Sequence, residues 1–568
     1  MPKRYLVTSG LPYSNGRLHV GHIAGAYLPA DTYVRFLRAC GEDVLFICGS
    51  DDNGVAIELS ALKAGTTPQA ISTRFHERQK QDFAGLRIDF DVYGGTHQPE
   101  FAELHTRFSQ DFFKRIFDKG YFTKRTTQQL FDPVNKRFLP DRYVRGTCPL
   151  CKDHETYGDQ CEKTGAVIDA LNLIEPRSVL PPRAVPEVRA TAHWYLRLNE
   201  FEEPLRKWLE SKQGHWRASV LNFSLGQIKQ GLPERAMTRD IEWGIPVPLP
   251  DADAAGKVLY VWFDAPIGYV SFTARLLEQR GGKAEDYARW WSDPESEIVH
   301  FIGEDNTVFH ALIWPAMLMA DGRHQLPSHV VANQFVNIRL GDAEAKVSKS
   351  QTADESPVWI EEFLKRFDPD TLRYYLTSIA PETARTTFDP HDFIQKVNSV
   401  LVSTFGNFVN RYPKFIIENF DGRIPDAPLT DADRAQLALA SDVLGRIGDH
   451  LRAFRFRAAI DEFITFVSSC DKYIGLREPW KRRKDNLPDC AACVATCANL
   501  THFLAIMAWP FMPGAARRVL EMIGLPDEVV RWQPPAPLPP GHKIGEPRIL
   551  FPRLEPTALD AAPPAASP

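Results

Sequence analysis

Hydrophobic positions along the chain change period several times, and each change marks an element. Residues 5–8 form a short apolar run, followed by the turn-forming stretch Ser9-Gly10-Leu11-Pro12-Tyr13-Ser14-Asn15-Gly16. A helical period then starts at Leu18 and continues through Ile23, Tyr27, Tyr33, Phe36 and Leu37. This predicts a strand, a tight loop and a helix. A second apolar run at 44–49 predicts a strand ending in Ser50-Asp51-Asp52-Asn53-Gly54. Helices are predicted at 56–64, 68–85 and 99–119, the last carrying Phe101, Leu104, Phe108, Phe112, Phe113 and Phe117 at mixed spacings of three and four. From 121 to 220 short turn-rich pieces replace the alternation. It resumes near 222, with strands predicted at 258–263, 297–303 and 330–337. Beyond residue 370 the pattern is helical, with segments at 392–412 and 435–466.

The sequence of elements predicts an α/β parallel sheet interrupted by an insertion and followed by an all-α bundle. The divisions are 1–116 for the first half of the sheet domain, 117–221 for the insertion and 222–336 for the second half. Residues 337–388 then connect to a helical domain at 389–540, and 541–568 form a strap and a loose alanine- and proline-rich tail.

Charge narrows the partners. With 67 basic and 72 acidic residues the net charge is -5, which argues against nonspecific coating of nucleic acid. A local patch is still available, because Lys481-Arg482-Arg483-Lys484 is the densest positive run in the chain. No secretory leader opens the sequence, and the longest apolar runs, at 309–320 and 503–513, are too short to span a bilayer. Nine clustered cysteines suggest metal or buried thiols in a reducing cytoplasm.

Candidate chemistry gathers at the ends of predicted strands. His19 and His22 stand three residues apart at a helix start, so both rings can face one phosphate or ribose. Gly21 between them leaves room for a flat ring against the backbone. The bland alternatives are two surface histidines or an H-x-x-H zinc pair, and the latter lacks the carboxylate of H-E-x-x-H. Asp51 and Asp52 suit an amino group or a buried hydrogen-bond network. Lys346, Ser348, Lys349 and Ser350 form a compact cationic loop able to track charge on a transferring phosphorus. The P-loop and G-x-G-x-x-G fingerprints are absent. Cys148, Cys151 and Cys161 have knuckle-like spacing, but Thr164 stands where a fourth ligand would complete a closed zinc site; His154 or Asp153 could do so instead. Cys490, Cys493 and Cys497 lie on one helical stripe and read as core.

His19-Val20-Gly21-His22 after Leu11-Pro12-Tyr13, together with Lys346-Val347-Ser348-Lys349-Ser350, resembles the two signatures of class I aminoacyl-tRNA synthetases. With Val261-Trp262-Phe263-Asp264-Ala265-Pro266-Ile267-Gly268-Tyr269 the resemblance is specifically to the methionyl-tRNA synthetase family, and it covers nearly the whole chain. It implies a Rossmann-like catalytic domain, an inserted connective domain and an anticodon-binding bundle. The implied substrates are ATP with Mg²⁺, L-methionine and tRNA(Met).

By the same resemblance His19, His22, Lys346 and Lys349 are catalytic, and Gly21, His19, His22, Ser348 and Lys349 contact ATP. Leu11, Tyr13, Asp51, Trp262, Ala265, Tyr269, Phe309 and His310 form the methionine site, with Asp51 on the ammonium. Asn410, Arg411 and Trp480 read the CAU anticodon. Two departures stand out: Glu304 where the family has lysine, and Val347 where it has methionine. A structural Zn²⁺ on the cysteines is left open, a monomer is expected, and no membrane partner is. The alternatives are a catalytically silent tRNA-binding paralogue and a synthetase for another small apolar amino acid. The latter relatives carry a large editing insertion, for which the interval 117–221 is short.

Overall fold

The computed structural model describes residues 2–152, 154–158, 168–340, 343–345, 356, 358–526 and 528–555. Its centre is a five-stranded sheet, ordered His329–Asn333, Ser296–Gly303, Arg4–Ser9, Asp43–Ser50, Val92–Gly95. All neighbours are parallel, with Tyr5 opposite Val44 on one side and Glu297 on the other. These strands are buried on both faces, which is why they read as continuous apolar runs. The chain moves outward from Arg4–Ser9 in one direction, then returns to fill the other. The first strand therefore borders the switch point where open α/β sheets bind ligands.

The predicted strand at 258–263 is corrected. Only Val258–Leu259 is extended, pairing with Thr238–Arg239, and a helix runs from Val261 to Gln279. The misreading has a physical source. Phe263–Ala274 is buried residue after residue, so this helix shows no polar face and its Val, Trp and Phe residues mimic a core strand. It packs on the sheet so closely that a Cβ on Gly49 would stand 2.6 Å from the Phe272 ring. The predicted strand at 330–337 also divides, because Val336–Leu340 leaves the central sheet to pair with Thr386–Phe388.

The insertion is antiparallel. Phe122–Asp132 and Glu187–Leu196 form its main ladder, beside a smaller sheet of Glu155–Tyr157, Val144–Thr147 and Ile174–Ser178. The C-terminal half is the expected bundle, including Asp431–Arg452, Phe456–Arg477, Leu487–Ala508 and Pro513–Met522. Its apolar core continues into that of the first half of the sheet domain, where Tyr33 meets Phe454 at 4.9 Å between ring centroids. Among the described residues one helix, Leu487–Ala508, is long and apolar enough to cross a membrane, and it lies buried in this core with its three cysteines.

Candidate active site

The loop after Arg4–Ser9 is held on both sides. Gly10 N–H donates to Phe301 O at 2.9 Å, Asp51 N–H to Pro12 O at 2.9 Å and Ser14 N–H to Asp51 O at 3.0 Å. Tyr13 is thereby bridged to Asp51 across the end of the sheet. From below, Gln79 Nε2 donates to Tyr13 O at 2.9 Å and Gly16 O at 3.2 Å, while Tyr93 fixes Gln79 through Oε1 at 2.8 Å.

His19 is the N-cap of Val20–His22, which passes into the π turn Ile23–Tyr27 and the helix Leu28–Ala39. Gly21 N–H donates to His19 Nδ1 at 3.1 Å, and His19 N–H donates to His22 Nδ1 at 3.2 Å. Each backbone donor requires a bare Nδ1, so in the neutral rings the proton sits on Nε2, which makes that nitrogen the donor. The two rings stack with centroids 3.7 Å apart. A Cβ on Gly21 would lie 3.0 Å from the His19 ring, so glycine is needed for this stacked arrangement.

Lys346, Ser348 and Lys349 lie outside the described residues. The segments that flank them reach the histidines. Val336 lines the same cavity as His19, and Val20 N–H donates to Val358 O at 3.0 Å while Ile360 N–H donates to Leu18 O at 3.2 Å. That cavity measures about 320 Å³ and is bordered by Leu11, Tyr13, His19, Gly21, His22, Trp262, Asp305 and Asn306 among others.

Trp262 forms the wall toward the apolar end. Its ring lies flat on Phe309 with centroids 3.7 Å apart and takes Tyr13 edge-on at 6.4 Å. Behind it, His310 Nδ1 is 3.2 Å from Asn306 O, a pure acceptor, so Nδ1 carries the proton. Nε2 must then accept from the Tyr269 hydroxyl at 3.0 Å. Burial lowers the His310 pKa to about 4, which keeps the ring neutral. Tyr269 also has a backbone hydrogen bond with Leu11, and Ala265 is buried in the first turns of the same helix.

Asp51 is buried at the end of Asp43–Ser50. Burial, followed by the neighbouring Asp264 and Asp52, pushes its carboxyl well above the ordinary carboxylate range. The bonds around it involve residues that sequence reasoning passed over. Asn53 Nδ2 donates to Asp264 Oδ2 at 2.7 Å, His97 Nδ1 lies 3.0 Å from Asn53 Oδ1, and Trp243 Nε1 donates to Asp52 O at 2.6 Å. Asp264 belongs to the Val261–Tyr269 motif, but it follows directly on the strand expected at 258–263, which gives no reason to turn it inward.

Glu304 forms an ion pair with Arg385 at 3.1 Å. In the bundle, the Arg411 guanidinium stands 4.0 Å from the centroid of Trp480, which is half-buried rather than exposed, and Asn410 Nδ2 donates to Arg548 O at 2.7 Å. Cys148 and Cys151 are brought together, with Cys151 N–H 3.5 Å from Cys148 Sγ. Cys161, Thr164 and Asp153 lie outside the described residues. Among the described residues no group of three or more His, Cys, Asp or Glu side chains is arranged to hold a metal.

Two family models match the chain: "tRNA synthetases class I (M)" over residues 5–413 and "Anticodon binding domain of methionyl tRNA ligase" over 424–561. The chain belongs to the methionyl-tRNA synthetase family. The methionine--tRNA ligase of Thermococcus kodakarensis is 42% identical over 561 residues, spanning 97% of this chain and 73% of its own length. That of Chlorobaculum tepidum is 42% identical over 574 residues, spanning 98% and 80%. A crystal structure of Mycobacterium tuberculosis methionyl-tRNA synthetase bound by methionyl-adenylate shares the fold, with a TM-score of 0.78 at 23% identity over 97% of this chain and 100% of that one. As a member of this synthetase family the chain is an enzyme, a ligase, and its parallel sheet and helical bundle are those of the family's catalytic and anticodon-binding domains.

Proposed function

We propose that the chain activates L-methionine with ATP and Mg²⁺ and transfers it to tRNA(Met) through a methionyl-adenylate. The methionine carboxylate attacks the α-phosphorus in line, pyrophosphate leaves, and the terminal ribose hydroxyl of tRNA then attacks the mixed anhydride. A carboxylate is already ionised at neutral pH, so the first step needs orientation and charge stabilisation rather than a protein base. His19 and His22 would present Nε2 donors to the phosphates, Gly21 would leave space beside the adenine ring, Lys346 and Lys349 are assigned to the β and γ groups, and Ser348 is assigned as a further ATP contact. Mg²⁺, entering with ATP, would supply charge neutralisation for the pyrophosphate.

Methionine is placed with its ammonium at Asp51 and its thioether among Leu11, Tyr13, Trp262, Ala265, Tyr269, Phe309 and His310. The observation that carries this reading is convergence. The paired histidines and Trp262, whose ring is stacked on Phe309, border one cavity at the sheet's switch point. Sulfur–aromatic contact and pocket shape supply at most a few kcal/mol of selectivity over leucine. Pyrophosphate exchange measured with each amino acid separately tests the proposal. Methionine is the expected substrate, and exchange with another amino acid, or with none, would overturn it.

Recognition of the CAU anticodon is assigned to Asn410, Arg411 and Trp480, supported by the stacked Arg411–Trp480 pair next to the basic Pro479–Asp485 helix. The enzyme is expected to act as a cytoplasmic monomer, which sedimentation would check. A structural Zn²⁺ at Cys148, Cys151 and Cys161 is supported only by the Cys148–Cys151 turn, and elemental analysis before and after chelation decides it.

A further inference from the structure

Beneath the proposed methionine site two carboxyl groups are buried with no lysine or arginine paired to them among the described residues. Asp264 is 0% exposed, and it stands in the first turns of Val261–Gln279 beside Trp262 and Ala265. Its Oδ2 accepts from Asn53 Nδ2 at 2.7 Å and faces His105 Nε2 at 3.5 Å, while Oδ1 has no hydrogen-bond partner. Asp51, 3% exposed, has one long bond from Asn53 N–H to Oδ1 at 3.4 Å. Neither carboxylate pairs with a lysine or arginine among the described residues. Asp52, by contrast, is satisfied by Ser50 Oγ at 2.7 Å and His97 N–H at 3.0 Å.

Burying a carboxylate without a partner costs several kcal/mol. Two buried side by side, one bridged to Tyr13 and the other next in sequence but one to Trp262, both of which line the cavity, are suited to receive a positive charge there. Asn53 ties the pair together. Its backbone N–H reaches Asp51, its amide nitrogen reaches Asp264, and its amide oxygen is held by His97, whose ring lies on Trp243 with centroids 4.0 Å apart. His105, fixed to Ser271 Oγ at 2.9 Å, closes the far side.

We propose that Asp264 is a positioning residue for the substrate's α-ammonium group. Through Asn53 it sets the turn that carries Asp51, and an ammonium group beside the pair would favour the ionised form of both carboxyls. The inference rests on Asp51 as the ammonium ligand. Its consequence is a preference for methionine over the des-amino analogue 4-(methylthio)butanoate, which has the same carboxylate and thioether but no ammonium.

The test measures equilibrium affinity of the full chain for both compounds, together with KM for methionine and ATP. Asp264→Asn and Asp51→Asn are each expected to cut the methionine preference at least tenfold. Affinity for the analogue and KM for ATP should stay within twofold of wild type. Should Asp51→Asn collapse the preference while Asp264→Asn leaves it intact, the role of Asp264 is overturned and that of Asp51 stands. If Asp51→Asn leaves it intact, both fall. Equal loss of both ligands in Asp264→Asn would mark a purely structural role and also overturn the proposal. Asn53→Ala cuts the bridge while keeping both carboxylates, and serves if Asp264→Asn does not fold. It too must lower the preference, and an unchanged ratio rejects the mechanism.

Discussion

Replacing Arg373 with methionine should remove about 3 to 5 kcal/mol of stability, because this arginine fastens three parts of the chain from inside the core. It is 1% exposed, and Nη2 pairs with Asp31 Oδ2 at 2.6 Å on the helix that continues from the histidine signature. Nε donates to Phe511 O at 2.8 Å, Nη2 to Pro510 O at 3.0 Å and Nη1 to Leu86 O at 3.2 Å. Methionine fills similar volume but supplies no donor, so these carbonyls lose bonds worth about 1 kcal/mol each. Burial pushes the Asp31 carboxyl up, and Arg35 and Arg373 together reverse that shift. In the variant Arg35, at 2.8 Å, is the charged partner left to Asp31 among the described residues. Urea unfolding read by tryptophan fluorescence measures the loss. A double variant adding Asp31→Asn tests its origin, since removing the uncompensated charge should make the pair non-additive by about 1 to 2 kcal/mol. A single variant within 1 kcal/mol of wild type, or strict additivity, would refute the reasoning.

His22→Ala should leave methionine affinity nearly unchanged while lowering the rate of pyrophosphate exchange by about 10² to 10³, the usual cost of one transition-state donor; normal exchange would remove the assignment. Gly21→Ala places a Cβ 3.0 Å from the His19 ring and should raise KM for ATP more than KM for methionine, as initial-rate kinetics would show. Because burial lowers the His310 pKa to about 4, its bond with Tyr269 should survive acidification. KM for methionine should therefore show no transition assignable to this imidazole between pH 8 and 5, and a His310-dependent rise near pH 6.5 would contradict the neutral tautomer. Trp480→Ala removes a stacking surface worth about 1 to 3 kcal/mol per base. It should raise KM for tRNA roughly 5- to 150-fold at that cost while exchange without tRNA is unaffected.

What the sequence made legible follows from how local each interaction is. The central strands announced themselves because burial on both faces leaves an uninterrupted apolar run, and Leu28–Ala39 did so because its polar residues fall on one side. Val261–Gln279 was misread for the complementary reason: a helix sunk into the core loses the alternation that would distinguish it from a strand. That error hid Asp264, whose partners Asn53 and His105 come from distant segments and meet only in three dimensions. His19 and His22 were visible as a pair. Their tautomers were not, since those depend on two backbone N–H groups and the angle at which the helix begins.

In the proposed mechanism the electrostatics divide between two ends of the site, and that division is why no catalytic base is invoked. The histidine pair stands at the helix start, where the Nε2 atoms, left over by the backbone bonds to each Nδ1, suit negative phosphate. The carboxyls of Asp51 and Asp264 lie beyond Tyr13, with no lysine or arginine paired to either among the described residues. Under the proposed binding mode an amino acid between the two ends would be oriented by its own zwitterion, its positive end toward Asp51 and its carboxylate toward the phosphates. The fold enforces the separation because the first strand leads to the histidines, the adjacent strand leads to Asp51, and the helix Val261–Gln279 brings in Asp264. Two backbone bonds, between Pro12 and Asp51 and between Ser14 and Asp51, hold the ends in register. On this proposal orientation would be set by charge before any bond is made, leaving the stacked rings of Trp262 and Phe309 to select the side chain.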